Sequence, residues 1–383
     1  MKVVKLKELT LRITDGKHGD CKNEDGSGFY FVSCKDVFGD IVHYENARQI
    51  TKDDFINANK RTDLAPNDIL ITNSGTIGRM AIVKDIPETK RTTFQKSVAI
   101  VRADTKNVLP HYLYYLLKNK VSFFINSSNG SAQKNLLLST MRNFEIEYVD
   151  NIKEQERIIT TLSRYDSLID NYQKQIRLLE EAAQRLYKEW FVYLRFPGHE
   201  NTNIVDGVPE GWEKKSLDSI AAFKRGKTIT KKDILPGSFP VVAGGLEPAY
   251  YCNKSNTDSR VVTISASGAN AGYARMYFEK IWASDCSFVD NSNTKYLYYA
   301  YCFLKGNKTT INNMQRGSAQ PHVYARDINA LNIILPPTNL LVEFEQMAEK
   351  YYSNIAALSL QIKLLTESRD RLLPKLMSGE IEV

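Results

Sequence analysis

Polar and basic side chains cluster in short segments that also contain Gly, Ser or Asn, and their types suit recognition of a nucleic acid. Arg, Lys, Asn and Gln hydrogen-bond to base edges, whereas Ser, Thr and Lys hold phosphates. In the first half of the chain these candidate DNA-binding residues are Lys17, His18, Asn73, Ser74, Arg79, Arg91, Gln95, Lys96, Ser131, Gln133 and Lys134. In the second half they are Arg225, Lys227, Ser267, Asn270, Arg275, Gln315, Arg316, Ser318, Gln320 and His322. A solvated polar turn would explain any one of these segments as well, but the Gly-Ser-Ala-Gln sequence occurs in both halves.

Residue patterns that would support catalysis are missing from the sequence. It has no Gly-x-x-x-x-Gly-Lys-Ser/Thr phosphate loop, no His-Glu-x-x-His pair, no Gly-x-Ser-x-Gly elbow and no histidine pair with metal-ligand spacing. Asp68 followed by Glu88-Thr89-Lys90 resembles a magnesium-dependent nuclease pattern, but a turn at Pro66-Asn67-Asp68 explains these residues better. The sequence therefore predicts no catalytic residue and no metal ligand, and we expect the chain not to be an enzyme.

Composition and charge indicate a folded protein that tolerates a polyanionic partner. Of the 383 residues, 43% are hydrophobic, and the 51 Lys and Arg exceed the 44 Asp and Glu to give a formal charge of +7. The five cysteines form no Cys-x-x-Cys pair, so we expect reduced, structural thiols. No apolar run approaches the roughly 20 residues that a bilayer requires, and the N-terminus lacks a signal-peptide core. We expect a cytoplasmic protein with no membrane partner.

The chain contains an internal repeat of domain size. Three segments recur in order: Tyr112-Leu113-Tyr114-Tyr115 at Tyr296-Leu297-Tyr298-Tyr299, Gly130-Ser131-Ala132-Gln133 at Gly317-Ser318-Ala319-Gln320, and the twelve residues from Gln175 at Gln361. Their offsets are 184, 187 and 186 residues, obtained as 296 − 112, 317 − 130 and 361 − 175. A weaker echo places Ile71-Thr72-Asn73-Ser74-Gly75 opposite Ile264-Ser265-Ala266-Ser267-Gly268. Such a period indicates a duplicated domain and not a solenoid.

Each half ends in a long heptad pattern. We call the apolar positions of each heptad pattern its seam. The first seam consists of Tyr165, Ile169, Tyr172, Ile176, Leu179, Ala183, Leu186 and Trp190. The second consists of Leu341, Phe344, Ala348, Tyr351, Ile355, Leu358, Ile362, Leu365, Leu372 and Leu376, with Arg369 breaking one position. We expect Asn339 to cap the second helix and Pro374 to end or kink it. Two such seams predict helices that pack against each other as a coiled coil, and the path of the chain makes them antiparallel. At ~1.5 Å per residue, the predicted length is about 58 Å.

Short apolar runs bounded by Gly, Asn, Asp and Ser precede each seam and predict small β-rich domains. The predicted fold class is therefore α+β, with two β-rich domains in a tandem pseudo-two-fold repeat, separated by two long antiparallel coiled-coil helices. The expected bounds are 1–150 for the first domain, 151–197 for the central helix, 198–338 for the second domain, and 339–383 for the distal helix and tail.

Several further segments resemble one protein family, the specificity subunits of type I restriction-modification enzymes. They are Val208-Pro209-Glu210-Gly211-Trp212-Glu213, the Gly-Ser-Ala-Gln loops, Lys153-Glu154-Gln155-Glu156-Arg157-Ile158, Arg185-Leu186-Tyr187-Lys188-Glu189-Trp190-Phe191, and the tail Leu372-Leu373-Pro374-Lys375-Leu376-Met377-Ser378-Gly379-Glu380-Ile381. The resemblance covers essentially the whole chain and rests on the order of these segments. The second helix departs from the family pattern, because Leu341-Val342-Glu343-Phe344-Glu345-Gln346 replaces the usual acidic-Gln-basic start.

The resemblance implies two target-recognition domains that each read one half of an asymmetric bipartite site in double-stranded DNA, with the helices setting the unread spacer. It implies that two modification (methyltransferase) subunits dock on this chain, and that two ATP-driven restriction (translocase and endonuclease) subunits can join. No cofactor is then expected on this chain, because S-adenosylmethionine, ATP and magnesium belong to the partners. Two other hypotheses stay open at this point: a stand-alone DNA-modifying enzyme with recognition domains, and a coiled-coil interaction scaffold.

Overall fold

The computed structural model describes residues 1–128, 134–230, 232, 234–317 and 321–383. It divides the chain into two compact units, unit 1 from Met1–Ile169 with Leu364–Val383, and unit 2 from Asp170–Lys363. These boundaries fall inside the two long helices, so each helix contributes to both units; the domain bounds expected from the sequence stay a prediction. In the described part of the chain, no helix combines the length and apolar character needed to cross a membrane.

The first half of the chain forms short strands, four short helices and then a long one. In chain order the elements are β1 (Lys2–Lys5), β2 (Thr10–Asp15), β3 (Tyr30–Val32), β4 (Val37–Phe38), β5 (Ile41–Val42), β6 (Arg48–Gln49), α1 (Lys52–Thr62), β7 (Ile69–Thr72), β8 (Met80–Ile82), β9 (Thr92–Phe94), β10 (Val98–Ala103), α2 (Pro110–Lys118), α3 (Val121–Asn126), α4 (Leu138–Asn143), β11 (Glu145–Tyr148) and α5 (Ile152–Phe191).

An antiparallel four-stranded sheet, ordered β2-β10-β7-β8, forms the centre of unit 1. Ile69 and Ile71 of β7 point to a cluster with Tyr112 of α2, whereas Leu70 points to a second cluster with Phe94. Every β7 residue is therefore buried, as its uninterrupted apolar sequence requires. A three-stranded sheet, β6-β3-β9, and two strand pairs, β1-β11 and β4-β5, complete the β structure described.

The second half of the chain follows the same plan. Its elements are β12 (Ile204–Val205), β13 (Val208–Pro209), β14 (Glu213–Ser216), β15 (Lys224–Arg225), β16 (Phe239–Val242), β17 (Tyr250–Cys252), β18 (Val261–Ser265), β19 (Ala274–Tyr277), β20 (Trp282–Ala283), β21 (Cys286–Asp290), α6 (Leu297–Gly306), α7 (Lys308–Asn313), α8 (Ala325–Asn329), β22 (Asn332–Leu335) and α9 (Thr338–Met377).

The two units share one sheet topology. The order β15-β21-β18-β19 repeats β2-β10-β7-β8, and β17-β16-β20 repeats β6-β3-β9 with the same antiparallel and parallel neighbours. The pair β14-β22 repeats β1-β11. The α+β class and the tandem repeat predicted from the sequence are thus confirmed. Helix α1 is the main addition in unit 1, because the described residues between β17 and β18 contain no helix.

Parts of both long helices pack into the core of each unit. In unit 1, Leu162 of α5 shares a hydrophobic cluster with Leu373 and Leu376 of α9. In unit 2, Trp190 of α5 shares a cluster with Phe344 of α9. The beginning of α5 therefore packs with the end of α9 in unit 1, and the end of α5 packs with the beginning of α9 in unit 2. This is the pairing expected of antiparallel helices.

Details of the second helix differ from the sequence expectation. Helix α9 begins at Thr338, so Asn339 lies inside it and the capping prediction was wrong; the carbonyl of Pro337 accepts the N–H groups of Leu340 and Leu341. The helix also continues past Pro374 to Met377, so Pro374 does not end it. The five cysteines are free, as predicted.

Candidate DNA interface

Strand register brings several predicted DNA-binding segments of unit 1 to one end of the central sheet. Ala99 pairs with Asp15, and Val98 pairs with Thr72. The segments that follow β2 and β7 and the segments that precede β8 and β10 therefore lie together, and we call this the loop end of unit 1. The predicted residues located there are Lys17, His18, Asn73, Ser74, Arg79, Gln95 and Lys96, with Lys134 one residue before Asn135, which pairs with Ser74.

Unit 2 has a matching loop end. Ser265 pairs with Cys286, and Ile264 pairs with Ala274, so the ends of β15 and β18 meet the starts of β19 and β21. The predicted residues at or beside this end are Arg225, Lys227, Ser267, Asn270, Arg275, Gln315, Arg316 and His322. Arg91 of unit 1 is an exception, since it lies before β9, at the opposite end of that strand from Gln95. Ser131, Gln133, Ser318 and Gln320 lie outside the described residues.

A glycine followed by a lysine occupies the same place at both loop ends. The N–H of Gly16 donates to Val98 O (3.2 Å), and that of Gly226 donates to Cys286 O (2.8 Å). A Cβ at either glycine would collide with backbone carbonyl oxygens of the facing segment, so only glycine fits. The next residues, Lys17 and Lys227, are therefore structurally equivalent.

The internal sequence repeat does not align these two lysines, because their offset is 210 residues (227 − 17) and not about 190. In unit 1, 54 residues (71 − 17) separate Lys17 from Ile71, whereas 37 (264 − 227) separate Lys227 from Ile264. Helix α1 and the β4-β5 pair lie in the longer interval. The sequence signal for the equivalence is the Gly-Lys dipeptide that directly follows β2 in unit 1 and β15 in unit 2.

Carboxylates contact Lys17 and His18 at the first loop end. Lys17 Nζ lies 3.4 Å from Asp54 Oδ1, and the N–H of Lys22 donates to Asp54 Oδ2 (2.7 Å). The Lys22 N–H and the Lys17 ammonium lower the pKa of Asp54. Nearby, the buried Asp15 pairs with His18 (Nε2–Oδ2, 3.0 Å) and with Arg61. Helix α1 supplies Asp54 and Arg61, so this addition to unit 1 contacts and orders side chains of the loop end.

Asn73 and Ser74 are buried at the base of the first loop end. The N–H of Asn73 donates to Ser97 O (3.0 Å), and its carbonyl accepts from Leu136 N (2.8 Å). Its side-chain Oδ1 is buried without a hydrogen-bond partner among the residues that the structure describes. A buried acceptor of this kind can bind a donor from a ligand or from water.

In unit 2, a different set of contacts orders the loop end. Asp285 accepts hydrogen bonds from Arg225 and from the hydroxyl of Ser267. Arg316 and His322 exchange two backbone hydrogen bonds, and Arg316 Nη2 lies 3.1 Å from Asp327 Oδ1. Sequence reasoning did not single out Asp285, because a carboxylate has no obvious place among predicted DNA-binding cations.

Asp68 of the nuclease-like pattern forms an ion pair with Arg102, which lies outside the pattern. The side chain of Asp68 is 1% exposed and accepts from Arg102 Nε at 2.7 Å and Nη2 at 2.8 Å. It also accepts from the N–H of Ala65 (2.8 Å), which closes the turn that the sequence predicted. In the described part of the chain, no group of three or more His, Cys, Asp and Glu residues is placed to hold a metal ion.

Comparison with known proteins gives one consistent result. Residues 1–181 and 209–346 match the family described as the type I restriction modification DNA specificity domain. The chain is 30% identical over 343 residues to the type I restriction enzyme MjaIX specificity subunit of Methanocaldococcus jannaschii, covering 82% of this chain and 78% of that one. It is 27% identical over 151 residues to the type I restriction enzyme EcoBI specificity subunit of Escherichia coli, covering 39% and 31%. The crystal structure of a type I restriction-modification S subunit from M. genitalium has the same fold, with a TM-score of 0.52, 17% identity and coverage of 98% and 96%.

Proposed function

The chain belongs to the family of type I restriction-modification specificity subunits, and from this premise we propose that it reads an asymmetric, two-part site in double-stranded DNA. The observation that carries the proposal is the pair of loop ends, which share backbone geometry and differ in side chains. Asn73, Arg79 and Ser97 of unit 1 correspond to Ala266, Tyr273 and Asp285 of unit 2, because the same backbone hydrogen bonds join the matched segments. Two identical readers would select a palindrome, whereas two different readers select unlike half-sites.

The chemistry of the loop ends supports both kinds of DNA contact. The exposed Lys227 and Lys96 and the half-buried Lys17 would supply ammonium groups for phosphates, which position a protein on the duplex. Arg79 and Arg316 are exposed and have the bidentate geometry that reads guanine edges. Each loop end would therefore combine positioning with sequence readout.

The long helices would set the spacer between the half-sites. Helices α5 and α9 each have 40 residues and pass from one unit to the other. Helix length scales with residue number at ~1.5 Å per residue, so these helices can act as a molecular ruler.

The chain would direct chemistry that occurs on its partners. Two modification subunits would bind it and carry S-adenosylmethionine, and two restriction subunits, with ATP and magnesium, would join the complex. The specificity subunit itself would be non-catalytic and act in the cytoplasm, where the DNA lies. The ion pair between Asp68 and Arg102 supports a non-catalytic role, because it engages one of the two carboxylates of the nuclease-like pattern.

Selection from a randomised duplex library tests the proposal. The full chain, assembled with its modification subunits, should enrich a motif of two unlike half-sites separated by a spacer of unspecified sequence. Binding should weaken with added salt, because phosphate contacts release counterions. Enrichment of a palindrome, or of no motif, would contradict the proposal.

A further inference from the structure

Asp285 joins two of the predicted DNA-binding side chains in unit 2. One carboxylate oxygen, Oδ1, accepts from Arg225, and the other, Oδ2, accepts from the hydroxyl of Ser267. Arg225 belongs to β15 and Ser267 follows β18, so Asp285 links two separate segments of the loop end. Hydrogen bonds to an ionised group are stronger and more directional than neutral ones, which suits a positioning role.

The surrounding backbone keeps Asp285 in place. Asp285 directly precedes β21, and its carbonyl accepts the N–H of Ala266 (3.3 Å). Ser267 in turn pairs through its backbone with His322. The side chain of Asp285 is 34% exposed and that of Arg225 is 49% exposed, so the pair lies at the surface where DNA would approach.

We propose that Asp285 is a positioning residue, which holds Arg225 and Ser267 in the arrangement that selects the half-site read by unit 2; this inference rests on the proposed function. Each carboxylate oxygen already accepts a hydrogen bond from a side chain of the same loop end, which favours a positioning role for Asp285. Arg225 has five N–H donors and keeps some of them for DNA. The carboxylate repels a phosphate that approaches Arg225, and thereby directs the guanidinium to a neutral acceptor on a base edge.

Unit 1 has no carboxylate at the matched position. Ser97 precedes β10 as Asp285 precedes β21, and its carbonyl accepts the N–H of Asn73 (3.0 Å). The Ser97 hydroxyl accepts the N–H of Cys34 (3.1 Å), so it holds a neighbouring loop and not a cation. The same backbone position therefore orders different groups in the two units.

The variant Asp285→Asn tests the inference in the full chain assembled with its modification subunits. The probes are the duplex selected by the wild type and two versions with one half-site scrambled. We expect the preference for the intact second half-site to fall about ten-fold or more, as for loss of an oriented base contact, with the first half-site preference unchanged. Arg225, once released, should bind a phosphate, so log K should fall more steeply with log salt, by about 0.9.

Three further variants complete the design. Asp258→Asn is the matched control: it also removes a carboxylate from unit 2, where Asp258 lies 3.8 Å from Lys280, but it lies before β18, at the end of that strand opposite Ser267. Asp285→Ser, which inserts the residue of unit 1, serves if Asp285→Asn does not fold. Arg225→Gln alone and combined with Asp285→Asn should give the same half-site preference, because a positioning residue acts through its partner.

The outcomes separate the inference from the proposed function. An unchanged second half-site preference in Asp285→Asn, or additive losses with Arg225→Gln, would overturn the inference. An equal loss at both half-sites together with a lower Tm would show a structural role instead and would also overturn it. A wild type with no half-site preference would contradict the proposed function, and the inference would fall with it.

Discussion

Individual side chains at the loop ends are ordered by acidic partners within their own unit. Asp54 and Asp15 hold a lysine and an arginine in unit 1, whereas Asp285 and Asp327 each hold an arginine in unit 2. An ordered cation loses less conformational freedom when it binds than a free one does, and its direction is defined. Charge at the loop ends is thus arranged for direction as well as for attraction.

Recognition by single residues should be confined to one half-site. Lys134→Ala should weaken binding at the half-site that unit 1 reads, and Arg316→Ala at the other, because each side chain belongs to one loop end. Loss of a base-edge contact should cost about 1 to 3 kcal/mol, whereas loss of a phosphate contact should mainly reduce the salt dependence. Binding to duplexes with one scrambled half-site measures this.

Exposed lysines remote from the loop ends provide the controls. Lys106 follows β10 at the opposite end of the unit 1 sheet, and Lys280 lies between β19 and β20 in unit 2. Lys106→Ala and Lys280→Ala should leave both half-site preferences unchanged. If Lys134→Ala affected both half-sites equally, separate reading by the two units would be wrong.

The ion pair of Asp68 and Arg102 should contribute to stability and not to catalysis. Asp68→Asn leaves the guanidinium without its buried partner, so the free energy of unfolding should fall by about 1 to 3 kcal/mol. Urea denaturation measures the loss, and Glu88→Gln should change much less. Magnesium-dependent DNA cleavage by the purified chain that disappears in Asp68→Asn would contradict the non-catalytic assignment.

At the scale of elements, the long helices combine an apolar seam with charged anchor points. Arg369 occupies a seam position of α9 with its side chain 6% exposed, and its Nη1 lies 2.6 Å from Asp166 Oδ1 of α5 and 3.3 Å from Asp40 Oδ2. Burial alone would lower the pKa of Arg369, but the Asp166 and Asp40 carboxylates raise it, so the guanidinium stays charged. The residue that breaks the heptad is thus an anchor that ties both helices to the turn between β4 and β5 of unit 1.

Completing the apolar seam at this position should destabilise the protein. Arg369→Leu improves the heptad but leaves Asp166 and Asp40 without their shared guanidinium, so we expect a loss of about 2 to 4 kcal/mol in the free energy of unfolding. Arg371→Leu, at an exposed position of the same helix, is the control. Greater stability of Arg369→Leu in chemical denaturation would show that the anchor is dispensable.

The first N–H groups of helix α6 donate to the Glu345 side chain of α9, and this contact should be sensitive to pH. The N–H groups of Tyr298 and Tyr299 donate to Glu345 at 3.2 and 2.7 Å. Burial raises the pKa of Glu345 to about 8, although the two N–H groups lower it. Because the folded state holds this proton more tightly than the unfolded chain, its contribution to stability is present below about pH 4.5 and is lost as the pH rises through about 8.

The variant Glu345→Gln should remove this pH dependence. Relative to the wild type, its free energy of unfolding should increase as the pH rises from about 5 to 8, by up to about 1.4 kcal/mol per pH unit. Denaturation across this range measures the difference, with the exposed Glu343→Gln as the control. If the difference in unfolding free energy between Glu345→Gln and the wild type did not vary with pH, the proposed titration of Glu345 in this range would be wrong.

The elements were more predictable from the sequence than the contacts at their ends. Heptad spacing predicted α5 and α9, and the recurring Tyr-Leu-Tyr-Tyr segments predicted the shared topology, because both depend on periodic patterns. The equivalence of Lys17 and Lys227 and the role of Asp285 depend on strand register, which no local pattern specifies. In the sequence, Arg369 is only a break in the seam, since its partner Asp40 lies 329 residues away.

For the whole molecule, the repeated topology would make the proposed asymmetric recognition possible within one chain. The repeat gives two loop ends of similar backbone geometry, and different residues at matched positions, such as Ser97 and Asp285, would make them select different half-sites. The helices that connect them belong to both units, so a change in helix length should alter spacing without altering what either unit reads.

Insertion of one heptad into each long helix should lengthen the DNA spacer. Seven residues added after Leu179 and after Leu358 keep the seam in phase and add about 10 Å at ~1.5 Å per residue. On B-DNA this corresponds to about three base pairs if the helices follow the duplex, and to fewer if they are inclined. Half-site sequences should not change. An active insertion variant that keeps the original spacer would show that the helices are not the ruler.

Genome-wide mapping of methylated adenines tests the central claim most directly. In cells that express the modification subunits with this chain, methylation should occur at one motif with two unlike half-sites, and it should disappear without the chain. Lys134→Ala should then relax or shift only one of the half-sites. Methylation of the same motif without this chain, or of a palindromic motif with it, would contradict recognition by two different reading units.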